Sequence, residues 1–253
     1  VTSDTPDDLL DTVAAATQCL TDAVAALTDA DVPEPSLLPG WTRGHVLAHL
    51  SRNADGLLNL LLWARTGIET PQYASQFLRD SDIEAGAPRP LAEQLDDLRV
   101  TADRWLALAR AMPADRWSAL VRARTGKQLP AATIPWLRLR EIEIHHVDLA
   151  IGYGPADWPA PFVARMLTEV TAGLDHATEN TRPADAKPMT SDPAHPAPAS
   201  FTVRTTDTGF TATVGTAPAT EISGPAASVL AWLIGRSDGG DLTGDLPPLP
   251  AWL

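Results

Sequence analysis

A single cysteine, Cys19, is all the thiol chemistry this 253-residue chain carries. No internal disulfide can form, and no cysteine-rich zinc ribbon can be built. Cys19 lies in an Ala-, Leu- and Val-rich stretch, where a thiol reads as a small buried hydrophobe rather than a nucleophile. Basic residues are also scarce: 19 Lys and Arg stand against 32 Asp and Glu, a formal charge of -13. Phosphate neutralisation needs a basic patch, and no run of Lys or Arg supplies one, so nucleic acid is not an expected partner. A small anionic molecule is compatible with the chain if arginines gather at one site. Nowhere do eighteen apolar residues run uninterrupted, and residues 1–8 carry neither a basic nor an apolar leader segment. The expectation is a soluble, cytoplasmic protein with no membrane partner.

Helical periodicity dominates the first two thirds. Leu9, Leu10, Val13, Ala16, Leu20, Val24 and Leu27 recur at three or four, predicting a helix from Asp7 to about Ala30 that Pro33 and Pro35 end. Thr42 is placed to cap a second helix running to about Ala64, with Thr66-Gly67 as its stop. Ile68 to Pro90 reads as a polar connection containing Arg79. Further helices are predicted over Leu91–Met112, Trp136–Ile151 and Ala160–Ala177, while Arg116 to Arg124 shows no clear period. Four long helices with modest connections suggest an antiparallel four-helix bundle over residues 1–181. Residues 182–199 are rich in proline and read as a linker. Beyond it the period becomes two, with strands over 201–205 and 210–214, a third at 219–223 and a short helix over 225–234. The expected fold is therefore a helical bundle followed by a small α+β domain, 200–253.

Chemistry concentrates in Arg138 to Asp148, Arg-Leu-Arg-Glu-Ile-Glu-Ile-His-His-Val-Asp. At about 100° per residue, Glu141, His145 and Asp148 fall within about 60° of one another. Ile142, Ile144, Val147 and Leu149 fill the other sides, so the helix is expected to be buried, and a buried carboxylate beside an imidazole needs a partner. A metal ion would serve; an ordinary surface pair is the alternative, since Glu-His four apart also occurs without metal. Glu143 and His146 point away. A second stretch, Leu38 to Leu50, adds His45 and His49, stacked on one side of the second helix. His49 makes a third ligand available, and two His with one Glu is a recurring catalytic zinc set that leaves a fourth position open. His45, near the helix start, reads as a structural residue. Arg138 and Arg140 read as surface ion-pair residues, and Asp148 as a group orienting a ligating imidazole.

The Gly40-Trp41-Thr42 lead into the His49 helix, Arg140-Glu141 to His145, and Val147-Asp148-Leu149 together resemble the mycothiol-dependent maleylpyruvate isomerase family of the DinB-like helical bundles. Leu230-Ala231-Trp232-Leu233-Ile234-Gly235-Arg236 resembles the family's C-terminal domain. The resemblance implies a divalent metal, zinc, on His49, Glu141 and His145, with mycothiol as a low-molecular-weight thiol cofactor. It further implies cis-to-trans isomerisation of maleylpyruvate to fumarylpyruvate: thiolate adds reversibly, the double bond becomes single, the bond rotates and the thiolate leaves. The enolate formed on addition needs a cation or hydrogen-bond donors. Arg79 and Arg236 are the candidates for holding a dianionic substrate, because the guanidinium fork pairs two-pronged with carboxylate. A mycothiol S-transferase would share the thiol-activation step, and a noncatalytic ligand- or partner-binding bundle would use the same histidines structurally.

Overall fold

The apolar stripes read from the sequence become helices α1 (Pro6–Ala25), α2 (Arg43–Thr66), α4 (Leu91–Arg110) and α5 (Ile134–Asp148), with a shorter α3 (Gln76–Gly86) between α2 and α4. This computed structural model describes residues 6–180, 200–216 and 220–249. The helix α2 packs on α4, α5 and α3, while α1 packs on α4 and α5, so the four long helices close a ring. Burial on several sides of α2 explains its composition: Val46, Leu47, Leu50, Ala54, Leu57, Leu60 and Leu61 are all buried. Its start is fixed by Thr42, whose side chain accepts from the His45 amide, and its end by Gly67 in the left-handed region at φ 75°. A hairpin of β1 (Leu120–Arg122) and β2 (Gln128–Pro130), in register Val121 to Leu129, begins in the stretch without a clear period. Leu98 sits fully buried on α4, and Leu98→Ala should cost about 2–5 kcal/mol, read as a lower denaturation midpoint with unchanged slope.

Two sequence expectations change here. The polar connection 68–90 contains α3, capped by Ser75, whose hydroxyl accepts from the Leu78 amide. With Ile83 as its one large buried side chain, this helix had too few apolar positions to show a 3.6-residue period. The domain boundary also moves, because the chain divides into units Val1–Tyr153 and Gly154–Leu253. The helix α6 (Ala160–Asn180), expected in the bundle, belongs to the second unit. There it packs on β4 (Thr211–Val214) and α7 (Ala226–Leu233) through a face including Phe162, Met166 and Leu167. An amphipathic stripe states that one face is buried and leaves open what covers it.

In the second unit β3 (Phe201–Thr205) lies between β4 and β5 (Thr220–Gly224), antiparallel to the first and parallel to the second. Phe201, Val203 and Thr205 point inward by the two-residue alternation, and Phe201 meets Trp232 of α7 with ring centroids 5.5 Å apart. The expected linker, 182–199, and Ala219 at the start of the expected third strand lie outside the described residues.

Candidate metal centre

The start of α2 and the segment before it are fastened to the end of α5. Arg43 donates from Nε to the Leu149 carbonyl at 2.9 Å and from Nη2 to the Ala150 carbonyl at 3.3 Å, placing a cation at the C-terminus of α5, where the helix dipole favours it. The Leu37 amide adds a bond to the Asp148 carbonyl at 2.8 Å. Close approach also decides Gly44, where a Cβ would come within 2.1 Å of the Ala87 carbonyl oxygen. His45 is structural, as expected: its Nδ1 accepts from the Thr42 amide at 3.2 Å in a capping box, and its Nε2 faces Glu84 at 3.3 Å.

One turn further along α2, the side chain of His49 reaches α5. Its Nε2 lies 3.0 Å from Glu141 Oε2 and 3.1 Å from His145 Nε2, and His145 Nε2 lies 3.3 Å from Glu141 Oε2. Two ligands about 2.05 Å from a tetrahedral ion of zinc's size sit roughly 3.3 Å apart, so the triangle has the edges such an ion requires. Protons serve these atoms poorly. Two imidazole nitrogens face each other and the same carboxylate oxygen, so when both carry hydrogens these crowd together at a single acceptor. Among the described residues this is the one group of three or more His, Cys, Asp or Glu side chains able to hold a metal ion. Side-chain exposures of 7, 29 and 14 % for His49, Glu141 and His145 leave the triangle open on the Glu141 side.

The surrounding groups set ring orientation and charge. His145 donates from Nδ1 to Asp148 Oδ2 at 2.8 Å, which leaves the Nε2 lone pair for a ligand. Trp41 packs beside His49 with ring centroids 5.6 Å apart. Burial pulls the His49 pKa down to about 4, outweighing its hydrogen bond to Glu141, so His49 is neutral near pH 7. Burial opposes charge on Glu141 as well, but hydrogen bonds from His145 and His49 outweigh it and hold the carboxyl well below the usual range. At His145 burial favours the neutral ring, yet the bonds to Asp148 and Glu141 prevail and raise its pKa.

A pH dependence follows from these directions. Below the raised His145 pKa the ring is an imidazolium, and its Nε2 proton must leave before a metal binds. His49, neutral down to about pH 4, adds no such demand near neutrality. Metal affinity should therefore rise with pH, with about one proton released per ion, and level off above the His145 pKa. Calorimetric titration in buffers of different ionisation enthalpy measures that proton; a pH-independent affinity between 6 and 8 would contradict the assignment.

The remaining sequence candidates separate. Asp148 is at the site and fully buried. Arg79, expected in a loop, lies on α3, where Nη2 donates to His49 Nδ1 at 3.1 Å, Nη1 donates to Asp80 at 2.7 Å, and the guanidinium sits 5.7 Å over the Tyr73 ring. Arg236 follows α7 in the second unit and donates to the Ile234 carbonyl at 2.9 Å. Cys19 is exposed on α1 rather than buried. Arg138 is no surface residue: it is 1 % exposed, inside the bundle. The signal for it was available, since three residues before Glu141 is about 60° away on the same helix face. Glu143 and His146 do point elsewhere, toward Tyr153, whose hydroxyl donates to Glu143 and whose ring stacks on His146.

Comparison with known proteins bears on both units. The family model for the mycothiol maleylpyruvate isomerase N-terminal domain matches residues 13–150, and the model for the C-terminal domain of the same isomerases matches residues 157–251. A crystal structure of the mycothiol-dependent maleylpyruvate isomerase is similar at a TM-score of 0.84 and 26% identity, covering 98% of this chain and 97% of that one. A histidine-to-alanine variant of that isomerase is similar at 0.84 and 25% identity, with the same coverage. No curated protein sequence matches the chain. Among the described residues, no helix is long and apolar enough to cross a membrane.

Proposed function

Because the chain belongs to the mycothiol maleylpyruvate isomerase family, with both family domains matched in order, we propose that it is a zinc- and mycothiol-dependent cis–trans isomerase acting on maleylpyruvate. The observation that carries this reading is the convergence of His49, Glu141 and His145, with Asp148 behind His145. Two imidazoles and one carboxylate form a donor set suited to zinc with an open position. Zinc bound there would supply a site at which an external thiol loses its proton near neutral pH.

The chain's own residues supply the remainder. Asp148 fixes the His145 tautomer, and Trp41 keeps water from one side of His49. Arg79 donates to His49 Nδ1, which therefore carries no proton while Nε2 donates to Glu141. With His49 Nε2 holding a metal, the ring proton would belong on Nδ1, and the Arg79 guanidinium would be available to an anionic partner beside the site. Arg79 is then a carboxylate anchor for an anionic substrate, and Arg236 is tested beside it as the second arginine candidate.

Turnover of maleylpyruvate to fumarylpyruvate, followed with and without mycothiol and after chelation, tests the reading. Activity that requires both supports it. A thiol conjugate that accumulates without fumarylpyruvate would assign the chain to S-transfer, and a protein that purifies without metal and shows no turnover with or without thiol would leave a binding bundle. For the anchors, Arg79→Ala and Arg236→Ala under saturating thiol should each raise KM or lower kcat by about tenfold or more, a change of about 1.4 kcal/mol. Metal content at saturation should stay unchanged. Parent-like kinetics in both variants would remove arginine anchoring.

A further inference from the structure

We infer that Arg138 is a positioning residue of the metal centre, its buried guanidinium tying α5 to α2 beside the residues whose side chains must meet. The inference rests on the metal reading of His49, Glu141 and His145. From Nη1, Arg138 donates to the Leu50 carbonyl and to Asn53 Oδ1, both at 2.9 Å. Leu50 follows His49 directly, and Asn53 lies one turn beyond it on α2. On α5, Arg138 precedes Glu141 by one turn. The two bonds thus span the helices about one turn from the His49–Glu141 contact of 3.0 Å.

This guanidinium is in a costly place. It is 1 % exposed, makes no ion pair among the described residues, and its Nη2 has no hydrogen-bond partner. Burial lowers its pKa to about 10, the nearby Glu141 charge opposing that shift, so it stays charged near pH 7. An apolar side chain of similar length would fill the volume without a desolvation penalty. What an apolar chain lacks is a donor nitrogen with two hydrogens, here Nη1, able to hold a helix carbonyl and a side-chain amide oxygen at once. Ligand sets tolerate displacements of only about 0.5 Å, and the bond between these two helices lies where such a displacement would open the triangle.

Position and charge predict opposite signs. As a bystander cation, Arg138 would repel a metal ion, and its removal would tighten binding. As a positioning residue, its removal loosens the triangle and weakens binding. Cobalt(II) titration of the full-length metal-free protein, with visible absorption reporting the ligand geometry, separates the two. Arg138→Met should weaken cobalt binding by at least about tenfold, the scale of support behind metal ligands, and alter the absorption band. Arg138→Lys, which keeps the charge and one donor direction, should recover part of the affinity. Asn53→Ala, which removes one acceptor, should weaken binding by a smaller factor. Parent-like or tighter binding in folded Arg138→Met overturns the inference. If that variant does not fold, parent-like affinity and spectrum in Asn53→Ala overturn it instead. A parent protein that binds no cobalt defeats the metal reading itself, an outcome the variants do not imitate.

Discussion

His145→Ala is expected to leave the purified protein without stoichiometric metal and to lower turnover by at least about a thousandfold. The magnitude has two parts. A free thiol with a pKa near 8.5 is only about 3 % thiolate at pH 7, so losing its activation costs roughly thirtyfold. Losing the position that holds the thiol against the alkene costs about a hundredfold more, on the scale of intramolecular orientation effects. The change removes one of three convergent ligand atoms and leaves His49 and Glu141, 3.0 Å apart, as a hydrogen-bonded pair. It also leaves Asp148, a fully buried carboxylate, without its imidazole partner. Elemental analysis and a turnover assay on the same preparation check it. Undiminished metal in folded His145→Ala would take His145 out of the ligand set, and retained turnover without metal would remove the metal from the reaction.

Asp148→Ala should act on affinity rather than on the ligand count. Asp148 accepts from His145 Nδ1 at 2.8 Å and is among the forces that raise the His145 pKa against burial. Without it, the ring proton is free to sit on either nitrogen and the imidazole becomes a weaker, less oriented donor. Metal affinity should fall about 10–100-fold, the range for partners behind metal-bound histidines. Excess metal should restore part of the turnover, which it would not do for His145→Ala. Asp148→Asn, keeping an acceptor but not the charge, should fall between parent and alanine. Competition with a chelator of known affinity measures all three; an unchanged dissociation constant in Asp148→Ala would show that the ring is held in some other way.

Much of this site was legible before the fold was known, because its strongest signal is local. Glu141, His145 and Asp148 occupy one face of a helix by arithmetic alone, and the bond from His145 to Asp148 is a contact between residues three apart. Residue type offered His49 as a third donor. Its meeting with Glu141, 92 residues along the chain, depended on which helices are neighbours. The cap at Thr42 and the stop at Gly67 were equally local, and both appear as read.

What failed was the reading of environment. Arg138 and Glu141 share a face, yet a charged residue was assigned to the surface because the sequence does not contain the Leu50 carbonyl and Asn53 amide that receive it. The stripe of α6 announced a buried face, and only packing decided that β4 and α7 pack on it. Arg79 sat in a stretch read as a polar link; capping by Ser75 and burial of Ile83 make that stretch a helix, which carries the guanidinium to His49. Local sequence thus determined helix phase, caps and the chemical character of the face that carries Glu141, His145 and Asp148, since backbone periodicity acts over three or four residues. The tertiary structure decided which faces meet, because burial and hydrogen-bond partners come from residues that the chain brings together only by folding.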